Sequence, residues 1–113
     1  ERILYGKPIA ALQTIQNKLA DMKIDLDAGM LLGYRAAAMQ DKGQRSSNEF
    51  AVAKYYTTEA CQRAAKMAVD IHGGYGCMEE YAVSRYLRDS YVVGPSAGTS
   101  DIMKVIIGRW VLS

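Results

Sequence analysis

The stretch Ala68-Val69-Asp70-Ile71-His72-Gly73-Gly74-Tyr75-Gly76 closes one helical pattern, and Ser96-Ala97-Gly98-Thr99-Ser100-Asp101 opens another. Gly73 and Gly74 supply backbone angles that residues with a Cβ reach only at a cost, so a helix is expected to stop there. At the second corner, Ser100 and Asp101 fall in a first helical turn, where free N–H groups and the helix dipole favour negative or electron-rich groups. No period-two alternation persists long enough to suggest a sheet. Helices on either side of both corners make an all-α fold, a four-helix bundle.

Upstream of the first corner, Ala53, Tyr56, Ala60, Ala64, Met67 and Ile71 form the stripe of a long helix. Its alanines favour helix and permit close approach of a neighbour. Ser46-Ser47-Asn48-Glu49 fits a capping box at its start. The polar run Asp41 to Ser46 connects it to an earlier helix, whose stripe is Ile9, Leu12, Ile15, Leu19, Met22 and Leu26. That helix is expected to begin at Pro8, which suits an early helical position, and to run to about Gln40, roughly 45 to 50 Å. Downstream, Tyr81 to about Tyr91 reads as a short helix with Val83, Tyr86 and Leu87 inward. The last helix starts near Thr99 and carries Ile102, Val105, Ile106 and Trp110, the tryptophan anchoring it. Tyr34, Tyr55, Tyr56 and Tyr86 lie at helical spacings and read as core or subunit-interface residues.

A chain of 113 residues that is 50% hydrophobic has enough apolar side chains for one globular domain. The formal charge of +2 is mixed along the chain, which gives no electrostatic argument for nucleic acid or an anionic membrane as partner. The longest nearly apolar run, Met30 to Met39, is broken by Gly33, Tyr34 and Arg35 and is too short to span a bilayer. Cys61 and Cys77 are isolated and read as free thiols in a reducing compartment, the cytoplasm or, in a eukaryote, the mitochondrial matrix. One histidine and no Cys-x-x-Cys argue against a metal site. The opening Glu1-Arg2-Ile3 reads as a piece of a longer polypeptide.

Taken in order, Arg2-x-x-Tyr5-Gly6-Lys7-Pro8-Ile9, Leu12-Gln13, Ile71-His72-Gly73-Gly74-x-Gly76, Arg88-Asp89 and Gly98-Thr99-Ser100 resemble the C-terminal domain of the acyl-CoA dehydrogenase family along essentially the whole chain. The resemblance implies that residues 1–113 are this helical domain, with an N-terminal helical and a middle β-domain outside the sequence. It implies α,β-dehydrogenation of an acyl-CoA thioester with FAD as hydride acceptor and electron-transferring flavoprotein as reoxidant. It further implies assembly into homodimers or tetramers, and that the piece alone is inactive. For the cofactor it implies contacts by Arg2 with the pyrophosphate, by Gln13, by the corner Ile71, His72, Gly73 and Gly74, and by Thr99, with Tyr5 stacking near the adenine. A planar guanidinium suits bidentate contact with phosphate oxygens. Tyr75 is expected to shape the glycine loop.

Three positions depart from the family pattern: Asp70 where many members have glutamine, Leu4 in place of threonine, and Ser96-Ala97 in place of Tyr-Glu. An anion at Asp70 is uncomfortable beside a pyrophosphate unless a cation intervenes. Ala97 cannot accept a proton, so no catalytic base is assigned within the chain. The resemblance implies Ala97 and Gly98 as the substrate-facing residues, with the Ala97 backbone N–H polarising the thioester carbonyl. Ser96-Ala97-Gly98-Thr99 is similar to the isovaleryl type, in which the base sits on the preceding helix. The alternative is a non-catalytic subunit of an acyl-CoA dehydrogenase-like heteromer. Asp101 reads as a helix-start residue.

Overall fold

The computed structural model describes residues 2–95 and 98–113, and its shape follows from two long helices laid side by side, 56 Å in the longest direction and 25 Å in the others. Helix α1 spans Gln13–Asp41 and α2 spans Ser47–His72. A short 3-10 turn, Gly73–Cys77, leads to α3, Ala82–Val93, and α4 covers Ser100–Leu112. The α2 helix is the hub, packed by α1, α3 and α4. The four helices bear out the all-α expectation.

The first helix starts later than the sequence suggests. Ile3–Leu4 (β1) and Lys7–Pro8 (β2) pair antiparallel, Ile3 opposite Pro8 and Leu4 opposite Lys7. Tyr5 and Gly6 take φ of 53° and 74°, the two positive angles of a type I′ hairpin turn. Pro8 therefore lies in extended backbone, φ −56° and ψ 143°, and not in the first turn of α1. A 3-10 turn, Ile9–Ala11, with Leu12 then feeds the helix. The hairpin is closed by Ile9 N–H donating to the Arg2 carbonyl at 2.9 Å, which fixes where Arg2 begins.

On α1 the face turned to α2 is Ile15, Lys18, Met22, Asp25, Gly29, Leu32, Ala36 and Met39, alternating spacings of three and four as in a coiled-coil seam. Ile15 and Met22 of the expected stripe are on it. Leu19 and Leu26 are not, being 48% and 56% exposed. The correction has a simple cause: α1 carries two apolar faces, and counting from Leu19 follows the outer one. Gly29 and Ala36 are buried because α2 approaches there; a Cβ on Gly29 would lie 3.0 Å from Thr57 Cγ2. All the buried hydrophobic residues among those described are alanines, Ala36, Ala51, Ala53 and Ala60.

Asp41 to Ser46 turns the chain as expected. Gly43, at φ 72°, closes α1 with Gln44 N–H on Met39 O at 3.0 Å and Gly43 N–H on Gln40 O at 2.9 Å, a Schellman motif. The expected capping box does not form. Ser46 occupies the N-cap, but its ψ of 11° departs from the extended geometry a side-chain cap needs, and no hydroxyl hydrogen bond is made. On α3, Val83 and Leu87 are half-buried and Ser90 buried, whereas Tyr86 is exposed, its ring under the Arg85 guanidinium at 5.3 Å. Tyr34 likewise faces solvent in this chain, and Trp110 at the end of α4 is exposed. Cys61 and Cys77 are free and exposed. Among the described residues no helix is long and apolar enough to cross a membrane.

Candidate functional site

The Gly73 corner is built by three close approaches. Gly73 ends α2 at φ 61° and ψ −139°, a conformation that L side chains avoid. Arg2, brought to this end by the hairpin, donates from Nη1 to the His72 carbonyl at 3.4 Å and lies against the bare Cα of Gly73. Gly76 is buried because the 3-10 turn folds back on α2; a Cβ there would meet Val69 O at 2.6 Å. Gly74, by contrast, faces open space.

These residues edge a cavity of about 530 Å³ lined by Arg2, Ile9, Ile71, His72, Tyr75 and Tyr81. Three of the sequence-assigned residues, Arg2, Ile71 and His72, thus meet at one place, with Gly73 touching Arg2. His72 Nδ1 lies 2.8 Å from Ala68 O and, since a carbonyl only accepts, is the donor of that contact. Arg2 makes no ion pair among the described residues, so most of its guanidinium fork is free to bind an anion. Asp70, the departure from the family pattern, pairs with Lys66 Nζ at 3.1 Å one turn back on α2. Both side chains of this pair are largely exposed, and neither lines the cavity.

Gln13, the first residue of α1, is exposed and does not line the cavity. The Gly98–Thr99 corner stands elsewhere. Thr99 caps α4 as the sequence suggests, its Oγ1 accepting from Ile102 N–H at 3.2 Å, and Gly98 has φ 108°. Ser100 Oγ donates to Glu59 Oε1 at 3.2 Å, which fixes the start of α4 beside the middle of α2. Glu59 and His72 are thirteen residues apart on one helix, roughly 20 Å. One chain therefore presents two separated patches, not one convergent site. Ser96 and Ala97, where the sequence places the carbonyl-polarising N–H, lie outside the described residues.

Sequence reading missed Tyr81 and left Tyr75 as a loop-shaping residue. Tyr5, assigned to adenine stacking, is 88% exposed at the hairpin tip and away from the cavity. Tyr81 sits at the N-cap of α3, its ring 5.5 Å from Tyr75 and 6.4 Å from His72. The available signal was the clustering of His72, Tyr75 and Tyr81 around the glycine corner.

Residues 1–112 match the family model described as acyl-CoA dehydrogenase, C-terminal domain. The caffeyl-CoA reductase–Etf complex subunit CarC of Acetobacterium woodii is 40% identical over 112 residues, covering 99% of this chain and 30% of that protein. Among solved structures, butyryl-CoA dehydrogenase from Megasphaera elsdenii superposes with a TM-score of 0.97 at 35% identity, covering 100% of this chain and 30% of that one. The FAD complex of PigA gives 0.93 at 31% identity, covering 97% and 29%. The chain thus spans about 30% of the length of the relatives it matches.

Proposed function

The chain belongs to the acyl-CoA dehydrogenase C-terminal domain family, and from that premise we propose that it is the C-terminal helical domain of an FAD-dependent acyl-CoA dehydrogenase, with N-terminal helical and middle β-domains completing the subunit. Bound FAD supplies a two-electron acceptor for the hydride leaving the β carbon of an acyl-CoA thioester. The observation that carries the reading is the Arg2 guanidinium, without an ion pair among the described residues, held on the Gly73 corner beside an open cavity. Those donors fit a dinucleotide: Arg2 binds the pyrophosphate, and the open backbone of Gly74 lets it approach closely.

The second patch serves the reacting end. The Thr99 hydroxyl uses its lone pair on Ile102 N–H and keeps its proton to donate to the cofactor. Gly98 stands at the same corner, and the Ala97 N–H polarises the carbonyl of the acyl thioester. Gln13 adds an amide from the start of α1. With the two patches about 20 Å apart, they touch different stretches of an extended cofactor or cofactors bound to different copies. The reading also expects an assembly of dimers or tetramers, electron-transferring flavoprotein as the redox partner and the cytoplasm as location.

Ala97 leaves the base to a carboxylate outside this chain, as in the isovaleryl type. The same residue favours a second reading, a non-catalytic subunit of a heteromeric dehydrogenase. The test is anaerobic addition of short, branched, aromatic and long acyl-CoA thioesters to the complete gene product. The enzyme reading expects copurified FAD and bleaching of the flavin by at least one thioester. FAD without bleaching by any of them moves the assignment to the non-catalytic subunit. No FAD binding overturns both.

A further inference from the structure

We propose that Glu59 is a positioning residue: through Ser100 it holds the Gly98–Thr99 corner in place against bound cofactor and substrate. The inference rests on the reading of Thr99 given above and assigns a residue that reading left unused. Helix α4 has no buried residue. Apolar packing alone therefore leaves its slide and rotation along α2 loosely set, and directional contacts have to fix them. Two such contacts are present, one turn apart on both helices. Ser100 Oγ donates to Glu59 Oε1 at 3.2 Å, and the Lys104 ammonium lies 5.1 Å from the centre of the Tyr55 ring. Residues four apart share a helix face, so Ser100 and Lys104 meet Glu59 and Tyr55 in antiparallel order.

Only the first contact stands at the corner. Ser100 follows Thr99 directly, whereas Lys104 is about 6 Å further along the helix axis. Glu59 is half-buried, makes no ion pair among the described residues, and gives its one hydrogen bond there to Ser100. Arg63, one turn along α2, is engaged by Asp25 instead. Stability alone does not account for a carboxylate kept from water by a single hydroxyl, since an apolar side chain would pack there without a desolvation cost. Fixing the place of Ser100 does account for it. Contacts within α4 join the corner to its first turn. Thr99 Oγ1 accepts from Ile102 N–H, Thr99 O accepts from Met103 N–H at 3.0 Å, and a Cβ on Gly98 would lie 2.9 Å from Met103 Cε. Corner and turn thus move as one piece, and the Ser100–Glu59 bond ties that piece to α2.

The test uses the complete gene product with bound FAD, native and as E59A, E59Q, S100A, E59A/S100A and T99V, each well below its melting temperature. The readouts are the anaerobic rate of flavin bleaching by an acyl-CoA thioester and the visible circular dichroism of the flavin. E59A and S100A should each slow bleaching about 10-fold, because small displacements of positioning groups are costly. Both should also change the dichroism in the direction T99V does. The double variant should be no slower than either single one, since all three remove the same bond. E59Q should behave as the native protein, because its amide oxygen still accepts from Ser100. D25N lowers stability away from the corner and should leave both readouts native. Should E59A fail to fold, S100A reads the same bond. Effects that add in the double variant, E59Q as slow as E59A, or native readouts in both single variants overturn the positioning role. If no thioester bleaches the native flavin, the dichroism decides: a change in T99V but in neither E59A nor S100A overturns the role. Native dichroism in T99V overturns the placement of Thr99 at the cofactor instead.

Discussion

A methyl group placed on Gly73 would lie 2.6 Å from Nη1 of Arg2. The two residues are far apart in sequence, yet the conformation of one decides the position of the other. Arg2 rests where a side chain would be, and only there does it reach the His72 carbonyl. Gly73→Ala therefore has two effects. Its φ of 61° strains any L residue, costing about 1–3 kcal/mol. It also pushes the guanidinium off the corner. The expected result is a lower melting temperature together with weaker FAD binding by the complete gene product. Arg2→Ala should reproduce the loss of affinity without the loss of stability. Equal stability in both variants would contradict the account.

The three glycines of the corner separate by what stands in front of them. At Gly76 a Cβ would meet Val69 O at 2.6 Å and Val69 Cα at 3.1 Å, both backbone atoms that cannot rotate away. Gly76→Ala should cost about 2–3 kcal/mol, as overpacking against a fixed neighbour does. A Cβ on Gly74 meets nothing, so Gly74→Ala should leave stability within about 0.5 kcal/mol. Denaturant titration of the two variants checks the ordering.

Asp25 sits in the α1 seam and is met there by α2. Arg63 Nε donates to one carboxylate oxygen at 3.1 Å and the Tyr56 hydroxyl to the other at 2.6 Å. Arg63, then Tyr56, hold its carboxyl below the ordinary aspartate range. A carboxyl depressed in the folded state contributes stability above the unfolded pKa of about 4, lost as pH falls through the lower folded value. Asp25→Asn should therefore lower stability at neutral pH by about 1 kcal/mol, since Arg63 is half exposed. The difference from the native chain should vanish below the folded pKa. Melting curves from neutral to strongly acid pH check it, and a constant difference would remove Asp25 from the account.

Much of this arrangement was legible because helix stops have local causes. Gly43, Gly73 and Gly98 adopt positive φ where the sequence places boundaries, and Thr99 caps as its chemistry suggests. The hairpin was not legible, since its strands are two residues each and show no alternation; the Tyr5-Gly6 pair was the one local sign. Pro8 misled because its φ suits both a helix start and extended backbone, and only pairing with Ile3 decides. Ser46 misled because a capping box needs the right ψ as well as the right residues. Site residues grouped by motif came together only in part. Arg2 and the Gly73 corner meet through the hairpin, whereas Thr99 is held at the middle of α2 by the Ser100–Glu59 hydrogen bond.

The outer face of α1 gives the last prediction. Leu19, Leu26, Met30 and Tyr34 recur at spacings of seven, four and four and are 48%, 56%, 45% and 62% exposed. This stripe lies about 100° around the helix from the seam. Between them runs an apolar groove of about 410 Å³ whose lining includes Met22, Gly29, Ala60 and Ala64, with Leu26 and Met30 on its edge. Stripe and groove share Leu26 and Met30 and are thus continuous, and contiguous exposed apolar surface of this kind marks contact sites. The isolated chain is expected to self-associate through it. Light scattering after size exclusion, across a dilution series, should show a mass above that of one chain that falls on dilution. Leu26→Glu places a charge at the junction of stripe and groove and should give monomers. Its monomer should lose less than about 0.5 kcal/mol of stability, because Leu26 is half exposed before association. A native chain that stays monomeric at every concentration would show that this face is not a subunit contact.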